Sequence, residues 1–239
     1  MEPAEYALMD EAEQRMWWYR ALHARLLGAL ADRAGRLLDA GCGTGGLLAL
    51  LGRGAPALAG TGVEWSPLAA ARAHAKSGTP VARGSVNALP FATASFDAAV
   101  AADVLCHEAV DPIAALSELR RVLRPGGRLV VNMPAFAWLA SAHDRRVHNA
   151  RRVTARELSG WLAAAGFVQI RARYWNSLLL PLMVVQRKLR ARGPEDASDV
   201  VTFPLWLDAI FHGITVIERW LPFALPAGGS VLAIAAAPA

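Results

Sequence analysis

The chain lacks most of the features that mark secreted, metal-binding and membrane-spanning proteins. It has only two cysteines in 239 residues, Cys42 and Cys106, and these are too few and too poorly spaced for a disulfide framework or a metal site. The acidic start MEPAE has no apolar stretch behind it, as a signal peptide would have. No apolar run approaches the roughly 18 residues that span a bilayer. We expect reduced thiols, no bound metal, and a cytoplasmic protein, either free or peripheral to a membrane.

Lysine is scarce as well. The net charge is +5, yet nearly all of the basic residues are arginine, which indicates genomic compositional bias at least as strongly as nucleic-acid binding. The two densest basic groups are Arg145, Arg146, Arg151, Arg152 and Arg156, and then Arg187, Lys188, Arg190 and Arg192. They are either solvated surface or contacts for anionic lipid or a phosphorylated substrate. We predict no nucleic-acid partner.

Apolar residues, in contrast, are plentiful enough for one sizeable core. They make up 54% of the chain, which suits a single α/β domain of this length. Strand and helix patterns alternate, and this implies right-handed crossovers and a parallel sheet. We divide the domain into an N-terminal helical segment (1–34), a cofactor-binding core (35–174), an apolar helical insertion (175–229) and a final strand (230–239).

The most informative segment is LLDAGCGTG, residues 37–45. A short apolar strand runs into a glycine-rich turn, where the backbone can approach a ligand because no Cβ collides with it. Gly41, Gly43 and Gly46 also match G-x-G-x-x-G, the turn that holds a pyrophosphate in nicotinamide and flavin enzymes. Asp39 favours another ligand, since a carboxylate is poorly placed beside a pyrophosphate and well placed beside a cationic amino-acid group that carries a ribose. A sulfonium ligand fits better.

A second acid, Glu64, ends the next predicted strand, about 20 residues after the glycine turn. A carboxylate at this place can accept hydrogen bonds from both hydroxyls of a ribose, whichever nucleotide is bound. The alternative is a surface acid or a helix cap. Ser66 and Pro67 follow it as the predicted N-cap and first residue of the next helix.

Four blocks of sequence carry a family resemblance. They are LLDAGCGTG (37–45), GVEWSP (62–67), NALPFATASFDAAVAADVLCH (87–107) and LRRVLRPGGRLVV (119–131). In this order and spacing the chain resembles a class I S-adenosylmethionine-dependent methyltransferase of the small-molecule branch. The resemblance implies a Rossmann-like fold with a seven-stranded, mostly parallel sheet whose last strand is antiparallel. It also implies S-adenosylmethionine as the methyl donor, with S-adenosylhomocysteine as its product.

The resemblance further implies which residues hold the donor. They are Asp39, Gly41, Cys42, Gly43, Gly45, Glu64, Trp65, Ser85, Val86 and Asp103. Trp65 would pack on the adenine, Val86 would offer its backbone N–H, and Asp103 would lie near the methyl end. Ser85 stands where the family usually has an aspartate that accepts from the adenine amino group. A hydroxyl accepts such a bond more weakly, and Asn87 is the alternative.

Residues for the methyl acceptor are predicted in two regions. Tyr19 and His23 follow an unusually aromatic stretch near the N-terminus, and each has a polar tip. Asp144 and Arg152 follow the fifth predicted strand. All four are expected to bind the substrate.

A general base is needed if the acceptor is a hydroxyl or an ammonium group. The candidates are His107, His143 and His148. They follow the fourth and fifth predicted strands, at the carboxyl ends where open α/β sheets bind ligands.

The insertion at 175–229 sets this chain apart, because the family joins its last two strands by a short loop. Its last part is apolar except for a narrow polar stripe, in which Asp208, His212, Thr215 and Arg219 are spaced by 4, 3 and 4 residues. Three interpretations stay open. The insertion caps the core, or lines a pocket for a lipophilic substrate, or forms a membrane or dimer face.

We therefore predict a methyltransferase for a hydrophobic small molecule or a lipid-linked acceptor, with transfer to oxygen. The alternatives are an RNA or protein methyltransferase with the same fold, an NAD(P)-dependent oxidoreductase, and a catalytically silent binding subunit. Peripheral membrane contact and a homodimer are both compatible with the sequence.

Overall fold

The computed structural model describes residues 3–190 and 203–239, which form a seven-stranded sheet with helices on both faces. The strands are β1 (Gly35–Ala40), β2 (Leu58–Glu64), β3 (Val81–Arg83), β4 (Phe96–Ala102), β5 (Leu123–Pro134), β6 (Val168–Trp175) and β7 (Ser230–Ala236). The helices are α1 (Pro3–Ala12), α2 (Trp17–Leu30), α3 (Gly46–Gly54), α4 (Pro67–Ser77), α5 (Pro112–Val122), α6 (Ala142–Arg146), α7 (Ala155–Ala164), α8 (Leu180–Arg190) and α9 (Leu205–Arg219).

The strand order is β3-β2-β1-β4-β5-β7-β6. Neighbouring strands are parallel except at β7, which runs antiparallel between β5 and β6. The predicted sheet, mostly parallel with an antiparallel last strand, is confirmed. The order reverses between β1 and β4, so the carboxyl ends of these two strands form the switch point at which open α/β sheets bind ligands.

The central strands are buried on both faces. Leu37 and Leu38 are neighbours in β1 and are both fully buried, although they belong to the cores on opposite sides of the sheet. Leu116 of α5 packs in one of these cores and Leu26 of α2 in the other. Because helices cover both faces, β1 and β4 appear in the sequence as continuous apolar runs rather than alternating ones.

Side chains cap the start of three helices. The predicted N-cap Ser66 begins α4, and the side chain of Asp111 caps α5. A capping box begins α7, with Thr154 and Glu157 each bonded to the other's backbone N–H. These caps fix the directions in which the helices leave the carboxyl ends of the strands.

Helix α9 packs along α2 and turns its polar stripe towards it. Asp208 accepts hydrogen bonds from the backbone N–H of Trp17 at 2.7 Å and from the side chain of Arg20 at 2.5 Å. The rings of Trp17 and Phe211 meet edge to face with their centroids 5.7 Å apart, and Thr215 is buried. Asp208 and Thr215 of the polar stripe therefore point into the protein, whereas Arg219 is exposed.

Glu218, near the end of α9, binds the segment that leads from β6 into α8. Both carboxylate oxygens of Glu218 accept from backbone N–H groups, Asn176 on one oxygen and Ser177 and Leu178 on the other, at 2.6 to 2.9 Å. Arg25 of α2 pairs with the same carboxylate at 3.2 Å. Within the described ranges, no helix has both the length and the apolar character that crossing a membrane would require.

Candidate active site

A cavity of about 790 Å³ lies at the carboxyl ends of β1, β2 and β4, a size typical of sites for small molecules. The predicted site residues that line it are Tyr19, His23, Asp39, Gly41, Cys42, Gly43, Glu64, Trp65, Ser85, Val86, Asp103, His107, Asp144, His148 and Arg152. Two predicted residues are not in that set. Gly45 contacts a helix instead, and His143 lies in α6 outside the residues whose side chains the structure describes.

Two glycines of the turn after β1 have different tasks. Gly41 has a φ of +76°, and a Cβ there would lie 2.5 Å from Cγ2 of Val104, so any other residue would be both strained and in collision. At Gly45, with a φ of +88°, a Cβ would meet the α-carbon of Ala73 at 2.7 Å. Gly45 thus allows α3 to pack closely on α4, whereas Gly46 lines the cavity.

Three buried carboxylates surround this turn. They belong to Asp39 at the end of β1, Glu64 at the end of β2, and Glu13 just after α1. Burial, and then the charges of Glu13 and Glu64, raise the pKa of Asp39 to about 7. Burial also raises the pKa of Glu13 and of Glu64. Because buried like charges oppose each other's ionisation, the site favours a ligand that brings positive charge.

Glu64 is held by the main chain on both of its oxygens. One oxygen accepts from the backbone N–H of Gly43 at 3.1 Å, and the other accepts from that of Ser66 at 2.9 Å. The hydroxyl of Tyr6 donates to the second oxygen at 3.3 Å. Tyr6 is itself affected, since burial and the charge of Glu64 raise its pKa to about 12.

Helix α1 covers the glycine turn. Met9 approaches Gly43 so closely that a Cβ on the glycine would lie 2.7 Å from the Cε of Met9. Lys76 of α4 pairs with both Asp10 and Glu13, which ties α1 to the core. Nothing in the residues of α1 themselves indicates which surface the helix lies on.

The predicted adenine side lies at the rim of the cavity. Trp65 is 74% exposed there, and Ser85 accepts a hydrogen bond from the backbone N–H of Asn87 at 3.1 Å. The amide of Asn87 donates to the carbonyl of Ala109 and accepts from the N–H of Asp111. Asn87 is therefore bonded to the next loop, and Ser85 is the one of the two that lines the cavity.

His23 lies next to the glycine turn. A Cβ on Gly46 would be 3.0 Å from the Cε1 of His23. Burial, with a smaller effect from Lys76, lowers the pKa of His23 to about 4, so its ring is neutral at physiological pH. The ring of Tyr19 lies 6.2 Å from that of His23, centroid to centroid. Both predicted substrate contacts of α2 are thus beside the predicted donor-binding residues.

Asp103 follows β4 in an unusual backbone conformation, with a φ of +52°. The side-chain amide of Asn132 donates to both of its carboxylate oxygens at 2.9 Å. Asn132 in turn accepts from the indole N–H of Trp175 at 2.8 Å. Burial raises the pKa of Asp103 to about 6, although the Asn132 bonds oppose this. The sequence indicated Asp103 but not the two residues that hold it.

The two predicted histidines whose side chains are described lie in different surroundings. Burial lowers the pKa of His107, while hydrogen bonds to the main chain at Val147 and His148 act in the opposite direction. His148 is exposed at the cavity rim and has a φ of +55°. His107 is therefore the more buried of the two and is neutral at physiological pH.

Asp144 and Arg152 form a buried ion pair in the cavity wall. The guanidinium of Arg152 reaches both carboxylate oxygens, with its closest contacts at 2.9 Å, and also donates to the carbonyl of Ala135. Asp144 accepts from the backbone N–H of Ser141 at 2.7 Å. The two predicted substrate residues thus bind each other and shape the loop after β5.

Comparison with known proteins decides the family. The methyltransferase domain profile matches residues 38–131. A malonyl-[acyl-carrier protein] O-methyltransferase from Herminiimonas arsenicoxydans is 34% identical over 178 residues, which cover 71% of this chain and 66% of that protein. The O-methyltransferase resE from Aspergillus sclerotiorum is 37% identical over 137 residues, covering 54% and 49%. The chain belongs to the class I S-adenosylmethionine-dependent methyltransferases.

A solved structure shares the fold of this methyltransferase. A methyltransferase from Thermotoga maritima, described as a possible histamine N-methyltransferase, superimposes with a TM-score of 0.64 at 21% identity, covering 98% of this chain and 95% of that one. At that identity the likeness shows the fold alone. The chain spans about a third to two thirds of the length of the first curated relatives that it matches. The predicted recognition and methyl donor are confirmed at the level of the family.

The residues of this methyltransferase fit that donor. S-adenosylmethionine carries a sulfonium and an ammonium group, and both would offset the charges of Asp39 and its buried neighbours. A pyrophosphate would instead add negative charge beside these carboxylates, of which Glu13 is paired with Lys76. The glycine turn and Glu64, the predicted ribose acceptor, line the same cavity. The oxidoreductase alternative therefore conflicts with the charge of the cavity as well as with the family.

The far wall of the methyltransferase's cavity comes from residues that sequence reasoning did not single out. They are Trp17 of α2, Asn176 after β6, Met183 and Gln186 of α8, and Phe203 before α9. A second apolar pocket of about 150 Å³ shares Trp17, Met183, Gln186 and Phe203 with the cavity and adds Leu179, Leu182 and Phe211. The apolar character of the insertion is visible in the sequence, but it does not show which of its residues face the cavity.

Proposed function

We propose that the protein transfers a methyl group from S-adenosylmethionine to an oxygen atom of a lipophilic small molecule or a lipid-linked acceptor. The observation that carries the proposal is the continuity of one cavity. It has a glycine-lined acidic part that includes Asp39, and it reaches apolar walls that include Trp17, Met183 and Phe203. A charged nucleoside donor suits the first part and a lipophilic acceptor suits the second.

The donor would be held by residues of the acidic part. Asp39 would face its cationic groups, Glu64 would accept from the ribose, and Trp65 with Ser85 would border the adenine. When bound, the donor supplies an electrophilic methyl group. The chain's contribution is to orient the acceptor and exclude water, and such positioning is worth about 7 to 11 kcal/mol.

His107 is the proposed general base for an acceptor hydroxyl. Its lowered pKa keeps the ring neutral and able to accept a proton at physiological pH. Asp103 is the second candidate, since its pKa of about 6 lies closer to neutrality than that of an ordinary carboxylate. His148 at the rim stays a prediction, and so does His143, whose side chain lies outside the described part of α6.

Oxygen as the accepting atom is supported by the two curated relatives described above, whose names are those of O-methyltransferases. A lipophilic acceptor is supported by the apolar walls. A nucleic-acid or protein acceptor would need an open basic groove. The arginines nearest to the cavity are engaged within the chain instead, Arg152 with Asp144 and Arg151 with the carbonyl of His107. We propose that the enzyme works in the cytoplasm.

Donor binding is tested by calorimetry. We expect the protein to bind S-adenosylhomocysteine and S-adenosylmethionine and to show no heat of binding with NAD or NADP. Binding of the nicotinamide coenzymes in place of the methyl donor would overturn the proposal.

Catalysis is tested with labelled S-adenosylmethionine and a panel of lipophilic phenols, carboxylic acids and polyprenyl compounds. With an acceptor found in this way, His107→Gln should lower kcat by about 10² to 10⁴ while donor affinity stays unchanged. It should also remove the fall in rate at low pH that protonation of His107 causes. The exposed His74 of α4 provides the control, His74→Gln, which should leave kcat unchanged. A methylated carbon or nitrogen in the product would refute transfer to oxygen.

A further inference from the structure

Helix α9 presents an apolar face to the outside of the protein. We call this the outer face of α9 and define it by Trp206, Ile210, Ile217 and Trp220, the last of these being the residue that caps the helix. Each of them is at least 50% exposed. Leu205 and Phe223 continue the surface at its two ends and are 89% and 60% exposed. Contiguous exposed apolar surface of this kind marks an interaction site.

The charged residues of α9 lie on the opposite side. Asp208 is bonded to Arg20 and to the backbone of Trp17. Glu218 is bonded to Arg25 and to three backbone N–H groups, and Arg219 donates to the carbonyl of Ala24 in α2. A surface helix normally turns such residues to water and its apolar residues to the core. Helix α9 instead turns its two acids inward and keeps a row of apolar residues exposed.

The spacing of the two tryptophans indicates how such a helix would lie. Trp206 and Trp220 are 14 positions apart, which places them about 21 Å apart along the helix axis and on the same side. Tryptophan prefers the boundary between the headgroups and acyl chains of a bilayer. Two tryptophans at the ends of one face would enter that boundary at equal depth when the helix lies in the membrane plane.

The charge of the chain favours an anionic surface. The net charge is +5, and the acids of α9, Asp208 and Glu218, are already paired with Arg20 and Arg25. Helix α8 exposes the apolar Leu182 and Val185, and it lies beside α9, since Leu182 and Phe211 line the same small pocket. A protein of net positive charge is attracted to anionic lipid headgroups.

We propose that the outer face of α9 docks on an anionic lipid bilayer, with the helix lying in the plane of the interface. The small apolar pocket between α8 and α9 shares four residues with the main cavity. The docking helix would therefore also border the small pocket that adjoins the apolar wall of the cavity. The docking surface is independent of the methyl-transfer reaction and goes beyond it.

The test is co-sedimentation of the full chain with vesicles. Phosphatidylcholine vesicles are compared with vesicles that also contain phosphatidylglycerol, at low and at high salt. The variants are Ile210→Glu and Ile217→Glu, which place a charge on the outer face without touching the core. Ile113→Glu on α5 is the matched control, because Ile113 is also about half exposed and α5 packs on the opposite face of the sheet from α2, against which α9 lies.

We expect the native protein and Ile113→Glu to bind the anionic vesicles, and the two α9 variants to bind about tenfold or more weakly. High salt should weaken binding of the native protein. Failure of the native protein to bind vesicles, or equal binding by the α9 variants, would overturn the proposal. A dimer in sedimentation equilibrium that the α9 variants dissociate, without lipid binding, would assign the face to a second copy and overturn it as well. Equal binding to neutral and anionic vesicles, unchanged by salt, would refute the preference for an anionic bilayer. No methyl acceptor is needed, so failure of the methyl-transfer assay would leave these outcomes interpretable.

Discussion

Buried carboxylates are used in opposite ways in the cavity and in the insertion. In the cavity, Asp39 lies beside Glu13 and Glu64, and its pKa is raised to about 7 by burial and by those charges. In the insertion, Glu218 lies between the guanidinium of Arg25 and three backbone N–H groups. The first arrangement leaves negative charge available to a ligand, and the second uses it to hold the fold.

The two carboxylates therefore have different roles, one in ligand binding and one in stability. Removing Asp39 should lower ligand affinity and change stability little. Removing Glu218 should lower stability, because the ion pairs of Asp208 and Glu218 with Arg20 and Arg25 hold the inner side of α9 on α2. Variants in the cavity and in the insertion should therefore differ in ligand affinity and in stability.

The largest effect is expected for Glu218→Gln. It leaves the guanidinium of Arg25 buried without its charged partner, and we expect a loss of about 3 to 5 kcal/mol in the free energy of unfolding, measured by urea denaturation. Glu157→Gln is the control, since Glu157 is an exposed acid and glutamine also fills its place in a capping box, so the variant should lose less than about 1 kcal/mol. Equal losses in both variants would mean that Glu218 has no special structural role.

Gly41→Ala tests whether the shape of the cavity matters beside its charge. The new Cβ would be strained at a φ of +76° and would collide with Val104. Gly126→Ala has a similar φ of +72° with nothing within 4 Å of the new Cβ, so it reports the strain alone, about 1 to 2 kcal/mol. We expect Gly41→Ala to lose about 1 to 3 kcal/mol more, and the double variant with Val104→Ala to recover part of that excess. Equal losses at the two glycines would remove the argument from close packing.

Asp39→Asn tests the charge itself. We expect the affinity for S-adenosylmethionine to fall about 10- to 100-fold near pH 8, because a charge-assisted contact is lost, while the ligand-free protein keeps its stability. Calorimetry and thermal unfolding measure the two quantities. Asp97→Asn is the matched control, since Asp97 is also in a parallel strand but is bonded to Arg36 and Arg124 away from the cavity. A variant that unfolds easily and binds normally would reverse the contrast with Glu218.

The last and least direct effect concerns pH. Asp39 ionises near its ordinary value of 3.8 in the unfolded chain and near 7 in the folded one. Between these values the folded protein holds a proton that the unfolded chain has released, so this residue lowers the stability of the ligand-free protein as pH rises from about 4 to about 7. The Tm of Asp39→Asn, relative to that of the native protein, should therefore rise over this range. A constant difference in Tm would show that the folded pKa of Asp39 is ordinary.

The sequence predicts the parallel core well because each signal there is local. The apolar runs of β1 and β4, the glycines after β1 and the caps at Ser66 and Thr154 all depend on neighbouring residues. Even the antiparallel β7 follows from the resemblance that those motifs carry. The acids at the ends of β1 and β2 could be found for the same reason, since strand ends in a parallel sheet converge.

The rest depends on contacts between distant residues. Glu13 reaches the cavity only because Lys76 holds α1 over the core, and no spacing in the sequence indicates that. The sequence indicated Asp103. It did not indicate the hydrogen bonds through which Asn132 and Trp175 hold Asp103, because these residues come from different strands. The polar stripe of α9 was visible, yet the pattern alone does not say whether such a stripe faces water or, as here, α2.

Helix α1 has a consequence for the timing of the reaction. The hydroxyl of Tyr6 donates to Glu64, the carboxylate proposed to accept from the ribose, and Met9 lies against the turn. A nucleoside bound as proposed would compete with this phenol for the carboxylate. Its exchange would then depend on how readily α1 moves away from the core, to which the ion pairs of Lys76 fasten it.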